Sequence, residues 1–132
     1  IHAVGPELLI LEIQQDTDVT WRIYDFPRDS GPRELHLEQA QGCAKYPSLP
    51  AIQHYDQQNQ RILQQDGPFM AEQRRVTNTE IDPNSIVVAL AGEFTVTEGN
   101  DEHSLSTGEV IASDKPLIVG GRGEIVVIRP NG

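Results

Sequence analysis

The chain has 132 residues, enough for one domain with a hydrophobic core, and its 20 acidic and 10 basic residues give a net charge of −10. Nucleic acids and anionic membrane surfaces require clustered Lys and Arg, so this charge argues against both as partners. No apolar run approaches the ~20 residues of a membrane-spanning helix, and the single cysteine, Cys43, cannot form an internal disulfide. These features predict a protein of the reducing cytoplasm.

The first half of the sequence predicts two strands, a turn, one helix and a polar connector. Residues 7–15 begin as a continuous apolar run, which indicates a buried strand, and residues 19–26 alternate apolar and polar side chains, which indicates a half-buried strand. Residues 27–32 contain Pro and Gly and predict a turn, and residues 34–44 are the best helix candidate. The Gln-rich residues 53–65 predict an exposed connector with weak strands.

The second half predicts a series of short strands separated by Gly- and Asp-containing turns. The predicted strands cover residues 69–77, 86–90, 93–97, 104–106, 110–112, 117–119 and 124–129. Regular spacing of this kind is typical of a sandwich or a barrel. The order of Gly-Glu-Phe, Gly-Glu-Val-Ile and Asp-Lys-Pro between residues 92 and 116 resembles a cupin. The predicted fold class is mostly β, a cupin or jelly roll (double-stranded β-helix) with one short helix.

Three sequence blocks near the start of the chain resemble the C-terminal portion of type I mannose-6-phosphate isomerases. They are EIQQ at residues 12–15, DTDVTWRIYD at 16–25 and RELH at 33–36, in the order that bacterial members show. The resemblance implies a zinc-dependent enzyme that interconverts mannose 6-phosphate and fructose 6-phosphate through a cis-enediol. It also implies a sugar-phosphate substrate and an N-terminal part of the same polypeptide that this chain lacks.

A faint internal repeat indicates how the chain is divided. Residues 124–129 align with residues 7–12 at an offset of 117, and the chain opens directly into an apolar segment without an initiator Met. Together with the resemblance, the repeat predicts three parts. They are the last strands of a catalytic cupin at 1–33, a helix and polar connector at 34–66, and a C-terminal cupin-like β domain at 67–132.

His2 is the candidate metal ligand. It matches a histidine that binds the catalytic zinc in the family, and imidazole is a common zinc ligand. The family's other ligands, a Gln-x-His pair and a Glu, precede this position and are absent from the chain, so the ligand set is incomplete. At the repeat offset Val119 stands in place of His2, which predicts an apolar centre in the second barrel. The side chains expected to close that centre are Val88, Phe94, Ile111 and Val127.

Arg22 is the first candidate catalytic residue. A guanidinium keeps its charge in any environment and offers a planar fork of donors that suits a phosphate or a developing oxyanion. The resemblance implies that Arg22 stabilises the enediolate. Its acidic companions, Glu12 and Asp18, are the other candidate catalytic residues, which could move a proton or orient Arg22. The alternative is that these carboxylates form an ordinary salt-bridge cluster with Arg22.

Arg28 is the candidate substrate-binding residue, because the family tends to hold a second basic residue there within reach of the sugar phosphate. His36, in the RELH block, is expected to help position the start of the helix.

Two functions stay open at this point. The first is the C-terminal part of a zinc-dependent isomerase, inactive as an isolated chain because at most one zinc ligand is present. The alternative is a non-catalytic cupin-like binding or assembly module.

Overall fold

The structure is a computed structural model that describes residues 6–7, 10–14, 16, 19–44, 56–57 and 59–131. The chain divides into two compact units, residues 1–49 and 50–132. In their described residues, the first unit contains one short helix and the second consists of antiparallel strands. Within the described ranges no helix is long and apolar enough to cross a membrane.

The helix of the first unit, α1, spans Leu37–Cys43 and lies inside the predicted range of 34–44. His36 occupies the N-cap position, and its carbonyl accepts the Ala40 amide at 2.9 Å. The side chain of His36 makes no capping hydrogen bond. His36 therefore caps the helix through its backbone carbonyl and not through its ring, in agreement with the expectation that His36 helps position the helix start.

The two strands predicted in the first unit are wrong for the residues that the structure describes. Residues 10–14 and 19–26 form no strand, and the apolar side chains that suggested strands are exposed: Ile10, Leu11, Val19, Trp21, Ile23, Tyr24 and Phe26. A strand requires a ladder of backbone hydrogen bonds with a neighbour. Here the backbone of Arg22 instead bonds to His36, through its carbonyl and through its amide.

The described residues of the second unit form six strands in one sheet. They are β1 (Gln60–Gln64), β2 (Phe69–Ile81), β3 (Ser85–Glu98), β4 (Asp101–Ser106), β5 (Val110–Ser113) and β6 (Leu117–Pro130). The order is β1-β2-β6-β3-β4, and every pairing is antiparallel. β5 pairs with the first part of β3, whereas β4 pairs with its last part. The predicted β-rich fold with one short helix is confirmed, and one of the weak strands expected in the connector is β1.

Two predicted breaks are instead sharp bends within continuous strands. β3 runs through Gly92 and β6 runs through Gly121 and Gly123, and the first two have φ of 110° and 122°. A Cβ on Gly123 would overlap the Ala91 carbonyl oxygen and lie 2.8 Å from the Phe94 ring. Glycine therefore lets two backbones approach closely while the ladder continues on both sides. These glycines predicted turns from the sequence because Gly is also the usual turn residue.

The core of the second unit is apolar. Its largest fully buried side chains include Ile81, Val87, Val96, Leu117, Val119 and Ile125. Phe94 and Val127 belong to the same cluster, and Ile111 packs against it. Val88 is also buried but lies outside this cluster. The apolar centre expected around Val119 is thus present, with three of the four named side chains lining it.

One carboxylate lies at the edge of this core. Glu72 is paired directly opposite Val127, and its side chain is only 4% exposed. Nη2 of Arg129 lies 2.9 Å from Oε1 of Glu72, and Arg74 contacts the same oxygen. Arg129 also contacts Asp82. Burying a carboxylate is costly unless cations and hydrogen-bond donors surround it, and the two arginines meet that need.

Candidate functional site

The second and third motif blocks of the first unit face each other across the predicted turn. The Gly31 amide donates to the Arg28 carbonyl at 3.3 Å, which closes the turn. Asp25 and Arg33 lie four residues on either side of Asp29. The two blocks are therefore arranged symmetrically about the turn, as the two arms of an antiparallel loop are.

The pair nearest the turn is an ion pair between Asp25 and Arg33. The Arg33 backbone amide donates to Asp25 Oδ2 at 2.8 Å, and Nε and Nη2 donate to Oδ1 at 2.9 and 2.6 Å. These hydrogen bonds from Arg33 hold the pKa of Asp25 below its ordinary value, with smaller help from the charges of Arg33 and Arg28. Asp25 is therefore an ionised anchor that ties the RELH block to the preceding one.

The pair farther from the turn joins Arg22 and His36, which lie seven residues on either side of Asp29. The Arg22 amide donates to Nδ1 of His36 at 3.1 Å, and the His36 amide donates to the Arg22 carbonyl at 2.7 Å. Because Nδ1 accepts this hydrogen bond, the geometry places the proton of the neutral ring on Nε2. The Trp21 ring packs against the edge of the imidazole with centroids 5.6 Å apart.

Arg22 is a partly buried residue whose guanidinium is held at one end. Its Nη1 donates to the Glu34 carbonyl at 3.1 Å. Among the residues that the structure describes, this is its one hydrogen bond, and a guanidinium carries five N–H donors. The described residues therefore leave further donors of this guanidinium for an anion. Their charge and planar arrangement suit a carboxylate, a phosphate or an enediolate.

The other predicted site residues are distributed as follows. Arg28 has a partly exposed side chain, with Nε 4.0 Å from Asp25 Oδ1. Glu12 is exposed, and the described contacts of Arg22 include none with it. His2 and Asp18 lie outside the described residues, so their predicted roles stay predictions. The part of the chain that the structure describes holds no group of three or more His, Cys, Asp or Glu side chains suited to a metal ion.

The sequence did not lead us to the Asp25–Arg33 pair or to the hydrogen bond between the Arg22 amide and the His36 ring. The signal that could have found them is the equal spacing of each pair about the predicted turn. An antiparallel loop brings together residues equidistant from its centre. Combined with opposite charge at one pair, this spacing predicts both contacts.

Comparisons with known proteins relate this chain to one group of enzymes. It is 42% identical over 53 residues to the mannose-6-phosphate isomerase ManA of Bacillus subtilis, covering 38% of this chain and 17% of that protein. It is 29% identical over 120 residues to the mannose-6-phosphate isomerase of Streptococcus mutans, covering 83% and 38%. No family model matches.

Solved structures show the same fold. The mannose 6-phosphate isomerase from Bacillus subtilis superimposes with a TM-score of 0.63 at 19% identity, over 86% of this chain and 41% of that one. The enzyme from Salmonella typhimurium, bound to fructose 6-phosphate and zinc, gives 0.58 at 14% identity, over 77% and 29%. The predicted cupin fold class is confirmed. The chain spans at most about two fifths of the length of these relatives.

Proposed function

We propose, from the premise that this chain is a relative of the type I mannose-6-phosphate isomerases, that it is the C-terminal part of a zinc-dependent isomerase. The complete enzyme would interconvert mannose 6-phosphate and fructose 6-phosphate through a cis-enediol, with an N-terminal part of the same polypeptide completing the site. The observation that carries the proposal is the Arg22 guanidinium, which is anchored at one end by the Glu34 carbonyl and makes no other hydrogen bond to the residues that the structure describes.

The chemistry of the isomerisation explains why such a group is needed. A proton leaves C2 of the aldose and is returned to C1, and negative charge develops on the enediolate oxygens between the two steps. A fixed donor aimed at developing charge lowers a barrier by several kcal/mol, because it does not have to reorganise during the reaction. Arg22 is the proposed donor, and Glu12 and Asp18 are the proposed carboxylates for moving the proton.

Arg28 is proposed to bind the substrate phosphate. Its side chain is about two fifths exposed and lies at the turn, next to the ionised Asp25. The charge of the substrate phosphate does not change during the isomerisation, so a group that binds the phosphate contributes equally to the ground state and the transition state. The separation of roles between Arg22 and Arg28 is therefore testable by kinetics.

The zinc of the complete enzyme would need ligands from outside this chain. His2 is the one ligand that the resemblance assigns here, and a single imidazole does not complete a zinc site. When bound, zinc polarises the oxygens of a substrate. Removal of the His2 imidazole by His2→Ala in the full-length polypeptide is expected to lower the zinc content, measured by elemental analysis.

The test is a coupled assay of fructose 6-phosphate formation by the full-length polypeptide that contains this chain. Arg22→Lys keeps the charge but loses the planar fork, so we expect kcat to fall about 100-fold while KM changes little. Arg28→Ala is expected to raise KM with little change in kcat. The matched control is Arg122→Lys, an exposed arginine of β6. A kcat for Arg22→Lys within about twofold of the parent contradicts the proposed role.

A non-catalytic cupin-like binding or assembly module is the second candidate function for this chain. The fully buried Val119 and the apolar cluster around it favour this alternative, because they indicate a packed scaffold in the second unit. We expect the 132-residue chain alone to show no isomerase activity with added Zn²⁺. Turnover above background by the purified chain would contradict the proposal that the chain supplies only part of the site.

A further inference from the structure

The peptide groups on both sides of Arg22 are held by one residue. His36 accepts the Arg22 amide with its ring nitrogen and donates its own amide to the Arg22 carbonyl, at 3.1 and 2.7 Å. The guanidinium of Arg22 is bound by the Glu34 carbonyl, two residues earlier. Three hydrogen bonds from one short segment therefore fix both ends of the same arginine.

The His36 ring can accept the Arg22 amide because it does not cap the helix. It makes no capping hydrogen bond to α1, although it occupies the N-cap position. Its plane is oriented by the Trp21 ring, which packs at 61° to it. The segment that carries it is fixed in turn by the three hydrogen bonds from Arg33 to Asp25.

We propose that His36 is a positioning residue, whose Nδ1 and amide clamp the Arg22 peptide so that the guanidinium stays where it can meet the enediolate. This inference rests on the proposed function, because it assigns His36 an effect on the reaction through Arg22. His36 touches neither substrate nor metal in this scheme. A displacement of about 1 Å in a catalytic group can cost about 100-fold in rate, so a clamp on the backbone has a kinetic consequence.

The first part of the test is a set of three variants in the full-length polypeptide. In His36→Asn, Oδ1 sits the same number of bonds from the backbone as Nδ1 and can accept the Arg22 amide. In His36→Gln the amide oxygen is one bond farther away, and His36→Ala has no acceptor. We expect kcat to fall about tenfold or more in the Ala and Gln variants, with KM nearly unchanged, and to be largely restored in the Asn variant.

The second part is a double-mutant cycle with Arg22→Lys. If His36 acts through Arg22, His36→Ala costs little further rate once Arg22 is already lysine. If the role of His36 is purely structural, His36→Ala reduces the folded fraction but leaves the kcat of each folded molecule unchanged, whether residue 22 is Arg or Lys. If His36→Ala does not fold, the comparison of the Asn and Gln variants decides in its place. Equal kcat in those two variants, or full additivity in the cycle, overturns the proposal.

A third measurement separates failure of this inference from failure of the proposed function. Hydrogen exchange of the Arg22 amide is expected to be about tenfold faster in His36→Ala than in the parent and to be slowed again in His36→Asn. A parent without isomerase activity refutes the proposed function and with it the kinetic role of His36, while slow exchange still supports the clamp. An active parent whose Arg22→Lys variant loses rate, with no effect of His36→Ala on either readout, overturns the inference alone.

Discussion

Replacement of Gly123 by alanine tests whether the bend between β3 and β6 depends on the absence of a side chain. The added Cβ would overlap the Ala91 carbonyl oxygen and lie 3.0 Å from the Ala91 carbonyl carbon and 2.8 Å from Phe94 Cζ. The Ala91 carbonyl is part of the backbone of β3, so a change of side-chain rotamer cannot relieve the overlap with it. One strand must move, and ladder hydrogen bonds near the bend weaken with it.

The magnitude follows from a comparison with Gly120 in the same strand. A Cβ there would have its nearest atoms at 3.7 and 3.9 Å, which is ordinary van der Waals contact. Both substitutions reduce the entropy of the unfolded chain by the same amount, so that term cancels between them. Overpacking costs about 1–3 kcal/mol and a lost ladder hydrogen bond about 1 kcal/mol. We therefore expect Gly123→Ala to be less stable than Gly120→Ala by about 3 kcal/mol.

The assay is urea unfolding of each variant, followed by far-UV circular dichroism, with the slopes compared to verify that the transition is the same. A difference below about 1 kcal/mol would show that the backbone at Ala91 yields easily, and would refute the reasoning. A second variant locates the conflict. Phe94→Leu removes the ring contact but leaves the Ala91 carbonyl, so it should not restore the stability of Gly123→Ala.

Two further predictions concern charge. Glu72→Gln leaves Arg74 and Arg129 without their shared counterion and should lower the free energy of unfolding by about 3 kcal/mol. The control, Glu80→Gln, changes an exposed site of the same strand and should leave the free energy of unfolding nearly unchanged. Equal effects of the two substitutions would contradict the role of the buried carboxylate. Because hydrogen bonds from Arg33 lower the pKa of Asp25 in the folded state, its ionised form stabilises the fold above the ordinary Asp pKa of about 3.9, and this stabilisation is lost as the pH falls through the lowered value. Asp25→Asn should therefore lower the melting temperature more at neutral pH than at acid pH, because protonation removes the advantage of the carboxylate. The melting temperature is read from the fluorescence of Trp21, the one tryptophan of the chain. Asp29→Asn is the exposed control, and a loss independent of pH would contradict the assignment.

The sequence allowed the second unit to be predicted more fully than the first. Alternation and Gly or Asp turns predicted most of β2, most of β5 and the second half of β4. The bends at Gly92 and Gly121 were not predictable as bends, since a glycine looks the same in a turn and in a close backbone approach. The alternation over residues 19–26 failed as a strand signal because the side chains that produce it are exposed.

The residues of the candidate site could be named from the sequence, and their roles stay predictions, whereas their contacts could not be named. Arg22 and Arg28 were named because of their chemistry and the family resemblance. Their partners were not, because the bonds from Arg22 run to the Glu34 carbonyl and to the backbone and ring of His36. Hydrogen bonds to main-chain atoms cannot be predicted from the types of the side chains. The Asp25–Arg33 pair could have been predicted, because the sequence shows opposite charges at equal distances from the predicted turn.

The position of β6 has a consequence for how the second unit folds. β2 and β3 follow each other along the chain, yet each pairs with β6 and the sheet order separates them. The contact between Phe69 and Pro130 closes a long loop, and such contacts slow folding. The two strands therefore cannot complete the sheet until residues 117–130 have been synthesised. Until then their apolar side chains and unpaired edges are open to chaperones, to proteases and to other copies of the same unfinished chain.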